Sequence, residues 1–214
     1  NIDTLARNYS SWIKSESTES TLAQDGADAY TATLRQTPGS QGQIATLIMG
    51  ADAAWGESQG PVAPNALPQR SKITSDIIDA IASKIEAGGK VALLLEHHGV
   101  SPEALANASK ISAKTGCRLF TGTFPARVDG GPGNPEVERL PYFPEQVLQT
   151  LTGLDHLVLV GGEPPASFFA YRGIPGQLIP EGCNVSRLTQ NEDDAVDALS
   201  RLAERLGATT EAVK

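Results

Sequence analysis

The chain predicts an α/β fold in which a parallel sheet lies between two layers of helices. Three observations lead there. Apolar runs without alternation at 90–95, 117–121 and 156–160 read as strands covered on both faces. Between them, apolar residues recur at helical spacing, framed by capping and stop signals. Strand and helix alternate in that rhythm from residue 75 to the C-terminal helix, as in a three-layer architecture.

In chain order, 9–14 reads as a short strand. Leu22, Ala23, Ala27, Tyr30 and Leu34 then share a helical face before a stop at Thr37-Pro38-Gly39. The run 43–49 is a second strand. Residues 1–50 therefore predict a strand–helix–strand unit, too little by itself to cover a parallel sheet on both faces. Gly56, Gly60, Pro61, Pro64 and Pro68 mark 56–72 as a linker. Ser75 and Asp76 open a helix carrying Ile77, Ile78, Ile81 and Ile85, which Gly88-Gly89 ends.

Strand 90–95 follows, and Ser101-Pro102-Glu103 starts the next helix. Here a capping hydroxyl precedes a proline whose missing N–H does no harm, and an acid sits at the positive end of the dipole. That helix stops at Thr115-Gly116 and leads into strand 117–121. Pro144-Glu145 opens a helix that Gly153 closes, and 156–160 is the next strand. Residues 177–180 and 185–188 are weaker strand candidates. Asn191-Glu192-Asp193-Asp194 caps a last helix with Val196, Leu199, Leu202 and Leu206 on one face.

Composition narrows the function. The 214 residues are 40% hydrophobic, enough for a real core, and carry a net charge of −8. That charge disfavours nucleic acid as a partner, because phosphate contacts need a basic stripe. No apolar run approaches membrane-spanning length, and no signal peptide is recognisable. Cys117 and Cys183 lie far apart without a C-x-x-C pair and read as small buried residues in a reducing cytoplasm. Residue 1 is Asn and Met49 is the only methionine, so the chain is expected to be part of a longer polypeptide.

Ligands of open parallel sheets gather beyond the carboxyl ends of the strands. Three such ends stand out: Glu96-His97-His98-Gly99-Val100, Thr121-Gly122-Thr123-Phe124, and Gly161-Gly162-Glu163. The second opens a glycine- and proline-rich stretch to Phe143, about twenty residues long and thus beyond the usual loop range. No G-x-G-x-x-G follows a strand, and neither a phosphate-loop nor a G-x-S-x-G motif occurs. No metal site is assigned. Successive residues of an extended segment point opposite ways, so His97 and His98 do not share an ion, and His156 falls at the opposite end of the sheet. Trp55 reads as a hydrophobic anchor for the linker.

The run Gln43-Ile44-Ala45-Thr46-Leu47-Ile48-Met49-Gly50-Ala51-Asp52-Ala53-Ala54-Trp55-Gly56-Glu57, with the linker after it, resembles the seam between the first and middle domains of thiamine-diphosphate-dependent enzymes of the acetolactate synthase type. The three strand ends are similar, in order and spacing, to the Rossmann-like middle domain of that family. The resemblance covers essentially the whole chain but only the central part of the family's length. It implies that 1–55 is the C-terminal end of the first, pyrimidine-binding-type domain, 56–72 a linker, 73–190 the middle domain, and 191–214 a helix leading to a third domain.

The family's catalytic machinery is a first-domain glutamate and a third-domain Gly-Asp-Gly…Asn segment that holds magnesium and diphosphate. Neither can be placed here. Thiamine diphosphate and Mg2+ would therefore belong to the full-length parent, which would decarboxylate or ligate 2-oxo acids as a homo-oligomer. Its missing N- and C-terminal domains would be this chain's partners. Some members hold FAD or ADP at the middle-domain strand ends. By resemblance those contacts fall on Gly99, Val100, Gly122, Thr123, Phe124, Gly161, Gly162 and Glu163. One departure is Glu96, where binders in the family carry a glycine cluster, since a carboxylate aimed at a diphosphate repels it. The rival expectation is a free-standing Rossmann-like nucleotide-binding or oligomerisation module.

Overall fold

The computed structural model describes residues 1–214 apart from 36–42, 59, 68, 133, 171 and 211–214. The expected helix stop at Thr37-Pro38-Gly39 and the linker residue Pro68 lie outside the described residues. The chain divides into two compact units, Asn1–Gln69 and Arg70–Lys214.

In the first unit, helix α1 (Ile2–Ala6) is capped by the Asn1 side chain, which accepts from the Asp3 amide. Strand β1 (Trp12–Ser17), helix α2 (Leu22–Leu34), strand β2 (Ala45–Met49) and helix α3 (Ala51–Trp55) follow. β1 and β2 pair in parallel, with Trp12 opposite Ala45 and Lys14 opposite Leu47. β1 therefore begins three residues later than the expected strand at 9–14 and runs on through polar Ser15, Glu16 and Ser17. The capped turn of α1 takes up the preceding residues, which the apolar pattern alone does not foresee. Trp55 is 89% exposed, which corrects its expected role as an anchor. It ends a five-residue helix and finds no pocket on its own unit.

The second unit is a five-stranded, all-parallel sheet in the order β5-β4-β3-β6-β7. Its elements are α4 (Ser75–Glu86), β3 (Val91–Leu95), a 3-10 turn at His97–Val100, α5 (Pro102–Thr115), β4 (Arg118–Thr121) and β5 (Glu138–Arg139). After these come α6 (Pro144–Leu151), β6 (His156–Val160), β7 (Asn184–Thr189) and α7 (Ala195–Arg205). The predicted three-layer α/β fold is the one observed. β3 shows how the pleat divides the core. Val91, Leu93 and Leu95 face the layer of α4, α5 and α7, whereas Ala92 and Leu94 face α6. All five residues of β3 are buried, as are all five of β6, which explains why both lack alternation in sequence.

The two faces are covered unequally. Three helices cap one side, while the other has α6 and the irregular segment 172–183, from which Leu178 is buried in the core. Residues 177–180 correct a strand expectation. They form only an isolated antiparallel bridge, Ala166 to Gln177, because Leu178 turns inward while its amide donates to Pro165 O at 2.7 Å. Cys117 is buried as expected, but Cys183 is only partly so. Residues 70–72, the end of the expected linker, are fastened to this unit. Ser71 pairs with Asp193, and the Arg70 guanidinium donates to Asn191 O at 2.7 Å. Among the described residues no helix is long and apolar enough to cross a membrane.

Candidate functional site at the strand ends

Because β3, β4 and β6 are parallel and in register, their carboxyl ends deliver Glu96, Gly122 and Gly161-Gly162 to one edge of the sheet. Glu96 organises that edge. Its backbone amide donates to Val160 O at 2.9 Å, and its carbonyl accepts from the Gly99 amide at 2.8 Å. Its side chain reaches over β4 and β6. A Cβ on Gly122 would run into Oε1 of Glu96, and one on Gly162 would run into Oε2. The concavity left by these two glycines is therefore filled by one carboxylate. The Glu163 N–H donates to it, but burial and the nearby Glu163 charge outweigh that bond and push the Glu96 carboxyl above its usual range. Among the described residues no lysine, arginine or histidine forms an ion pair with it.

The Gly161-Gly162 turn is latched from β7. Arg187 donates to Gly162 O and to Glu163 Oε2, each at 2.6 Å. Gly161 has φ of +79°, a left-handed conformation that suits glycine, and a Cβ there would lie 2.6 Å from Glu96 O. On the β4 side, the Thr123 hydroxyl donates to Pro141 O at 3.0 Å and Arg139 Nε donates to Thr123 O at 2.6 Å. The long stretch after β4 thus returns to its own strand as the short edge strand β5.

These loops border a cavity of about 150 Å³ that opens to solvent. Leu94, Leu140, Val147 and Leu178 form its apolar floor, Glu96 and Glu163 its polar side, and Tyr142 and Phe168 its mouth. Of the eight expected contact residues, Gly122, Thr123 and Glu163 line this space. Gly161 and Gly162 form the turn beside Glu96, and Phe124 joins the rings at the mouth. Gly99 and Val100 are placed differently. Gly99 is buried with its Cα against Val160, and Val100 belongs to the core under α5 and α7.

Sequence reasoning missed the aromatic cluster. Phe124 lies 5.9 Å from Tyr142 and 5.2 Å from Phe168, while Tyr142 and Phe168 are nearly parallel with centroids 6.1 Å apart. Phe143 and Phe169 flank Tyr142 at 5.2 and 6.0 Å. All five rings are between 42% and 63% exposed, an unusual concentration in a chain with only five phenylalanines. The available signal was two aromatic pairs, Tyr142-Phe143 and Phe168-Phe169, standing in aperiodic segments.

The histidines serve the scaffold. His98 Nδ1 accepts from the Ala195 amide at 3.3 Å, at the start of α7. Burial and the Arg70 charge lower its pKa, which keeps that nitrogen free to accept. His97 adopts φ of +50° in the 3-10 turn. His156 opens β6 opposite Val91, at the far end of the sheet from the other two. Among the described residues no group of three His, Cys, Asp or Glu side chains is placed to hold a metal ion.

No family model matches the chain. A curated protein of Mycobacterium tuberculosis (strain ATCC 25618 / H37Rv), named "Putative acetolactate synthase large subunit IlvX", is 37% identical over 209 residues, covering 98% of this chain. Over nearly its whole length the chain is similar to this acetolactate-synthase-large-subunit-like protein. It spans 39% of the length of that acetolactate-synthase-like relative. Two solved structures share its fold. One is "a putative thiamin diphosphate-dependent enzyme" from Mycobacterium smegmatis, with TM-score 0.69 and 21% identity, covering 95% of this chain and 41% of that one. The other is the thiamine diphosphate-dependent 4-hydroxybenzoylformate decarboxylase of Rhodococcus jostii RHA1, with TM-score 0.69 and 16% identity, covering 99% and 42%.

Proposed function

We propose that this chain is the central, non-catalytic portion of an acetolactate-synthase-like enzyme that acts on 2-oxo acids with thiamine diphosphate and Mg2+. In this reading 1–55 closes the first domain, 56–72 links, 73–190 is the middle domain and 191–214 leads to the third. The parent is a cytoplasmic homo-oligomer.

One observation carries the proposal: the first unit lacks a core of its own. Its buried residues among those described are Ser17, Asp25, Ala27, Thr31, Ala32 and Ala53, none of them large and apolar. Meanwhile Ile2, Leu5, Tyr9, Tyr30, Ile44, Met49 and Trp55 are exposed. A parallel two-stranded sheet normally needs helices or further strands on both faces. Those apolar side chains are therefore read as the surface that the remainder of the first domain covers.

The cofactor does not fit the residues in hand. No Gly-Asp-Gly run occurs in the sequence, and no described metal-ligand cluster exists for the diphosphate's ion. The chain's own part is to space and support the domains that hold the cofactor. The rival reading as a free-standing FAD or ADP module is disfavoured by Glu96, whose carboxylate stands where a diphosphate would have to lie against Gly122 and Gly162.

Hydrogen exchange followed by mass spectrometry tests the proposal. Peptides from 91–95 and 156–160 should exchange at the slow, global rate, and those from 12–17 and 45–49 orders of magnitude faster. Equal protection of the two sheets would contradict it.

A further inference from the structure

We propose that the cavity at the strand ends is a binding site for a small organic cation, one apolar ring or compact alkyl body bearing a single protonated amine or quaternary ammonium. This is the reverse of the anionic ligand that helix and strand ends of such a sheet usually attract. The site's chemistry does not depend on the parentage proposed above.

Four features define the ligand. First, the polar side holds one uncompensated negative charge. Glu163 is neutralised by Arg187 at 2.6 Å, whereas among the described residues Glu96 receives the Glu163 N–H and no cationic side chain. A monovalent cation restores the balance, and an anion does not. Second, the mouth is aromatic. The rings of Phe124, Tyr142 and Phe168 cluster there and remain half-exposed, Phe124 edge-on to Tyr142 and tilted against Phe168, which stacks on Tyr142. Such half-exposed rings offer the hydrocarbon body of a ligand, charged or neutral, apolar surface to pack against.

Third, the floor is apolar, made by Leu94, Leu140, Val147 and Leu178, so the body of the ligand must be hydrocarbon. Fourth, the size is limiting. At about 150 Å³ the space matches a cavity that accepts one benzene-sized group, and an adenosine diphosphate is far too large for it. Burial holds the carboxyl of Glu96 above its ordinary range, and a bound cation would relieve that penalty.

The test uses three benzene-ring probes of similar size, one cationic, one neutral and one anionic: benzylamine, benzyl alcohol and benzoate. Each is titrated at pH 7 into the 214-residue chain while the amide signals of Gly122, Gly162 and Glu163 are followed by nuclear magnetic resonance. ADP serves as a fourth probe. Benzylamine is expected to bind about tenfold or more tightly than benzyl alcohol, with benzoate and ADP silent; tenfold corresponds to about 1.4 kcal/mol. Glu96→Gln should erase the preference for benzylamine over benzyl alcohol. Phe168→Ala should weaken both by a similar factor.

The probe ranking needs no variant, so it stands even if Glu96→Gln fails to fold. Benzoate or ADP binding as well as benzylamine would overturn the proposal. So would a charge preference that survives in Glu96→Gln, or silence from all four probes at millimolar concentration.

Discussion

Alanine placed at each of the three glycines around Glu96 should cost stability in a graded order that the geometry dictates. A Cβ on Gly122 collides only with the tip of the Glu96 carboxylate, Cδ being 3.3 Å away, and the tip can swing aside. The substitution also restricts the unfolded chain, a gain of about 0.4–1 kcal/mol, so the net change should stay within about 1 kcal/mol of zero. A Cβ on Gly162 meets the same carboxylate and also lies 2.9 Å from Glu96 Cβ, which cannot rotate away. The overpacking cost there is about 1–3 kcal/mol. Gly161→Ala should be worst. Its φ of +79° adds about 1–2 kcal/mol for a left-handed alanine, and its Cβ would stand 2.6 Å from the immovable carbonyl of Glu96, giving about 2–5 kcal/mol in all.

Repeating the series in a Glu96→Ala background separates the causes. Gly122→Ala should become stabilising, Gly162→Ala should recover part of its cost, and Gly161→Ala should recover none. Urea unfolding followed by far-UV circular dichroism is the assay, since both tryptophans, Trp12 and Trp55, lie in the first unit and would report on that instead. If Glu96→Ala rescued Gly161→Ala, or left the costs at Gly122 and Gly162 unchanged, the placement of the carboxylate would be wrong.

Two further outcomes follow from the same geometry. The folded-state pKa of Glu96 is raised above 4.5, so the folded state holds a proton that the unfolded state releases. Its contribution is then complete below 4.5 and is lost as pH rises through the folded value, and Glu96→Gln should flatten that decline in a urea-midpoint series against pH. Asp194 caps α7 by accepting from the Asp197 amide at 3.0 Å, so Asp194→Ala should cost about 1 kcal/mol in the same assay, with Asp194→Ser recovering most of it.

The second unit was largely legible because its signals are local and redundant. β3 and β6 are continuous apolar runs. α5 has Ser101 as its cap, Pro102 in its first turn and Gly116, at φ of +77°, as its C-cap, all visible as residue types. β5 was hidden because it is only the charged pair Glu138-Arg139, held at the sheet edge by Arg118 bonding to Glu138 at 2.6 and 2.9 Å rather than by apolar burial. β1 was displaced because four of its six residues are polar. The site was half legible. The strand-end glycines follow from topology, but that two of them make room for Glu96 is a tertiary fact no spacing records. The aromatic mouth joins residues from three separate loops, so no single stretch of sequence contains it.

Calorimetric titration of the purified 214-residue chain with thiamine diphosphate and Mg2+, with pyruvate turnover assayed in parallel, tests the central reading most directly. The account predicts no saturable heat and no release of carbon dioxide, since under the proposed reading the groups that hold and activate the cofactor would lie in the parent's other domains. Stoichiometric binding of the cofactor, or turnover above the protein-free rate, would contradict it.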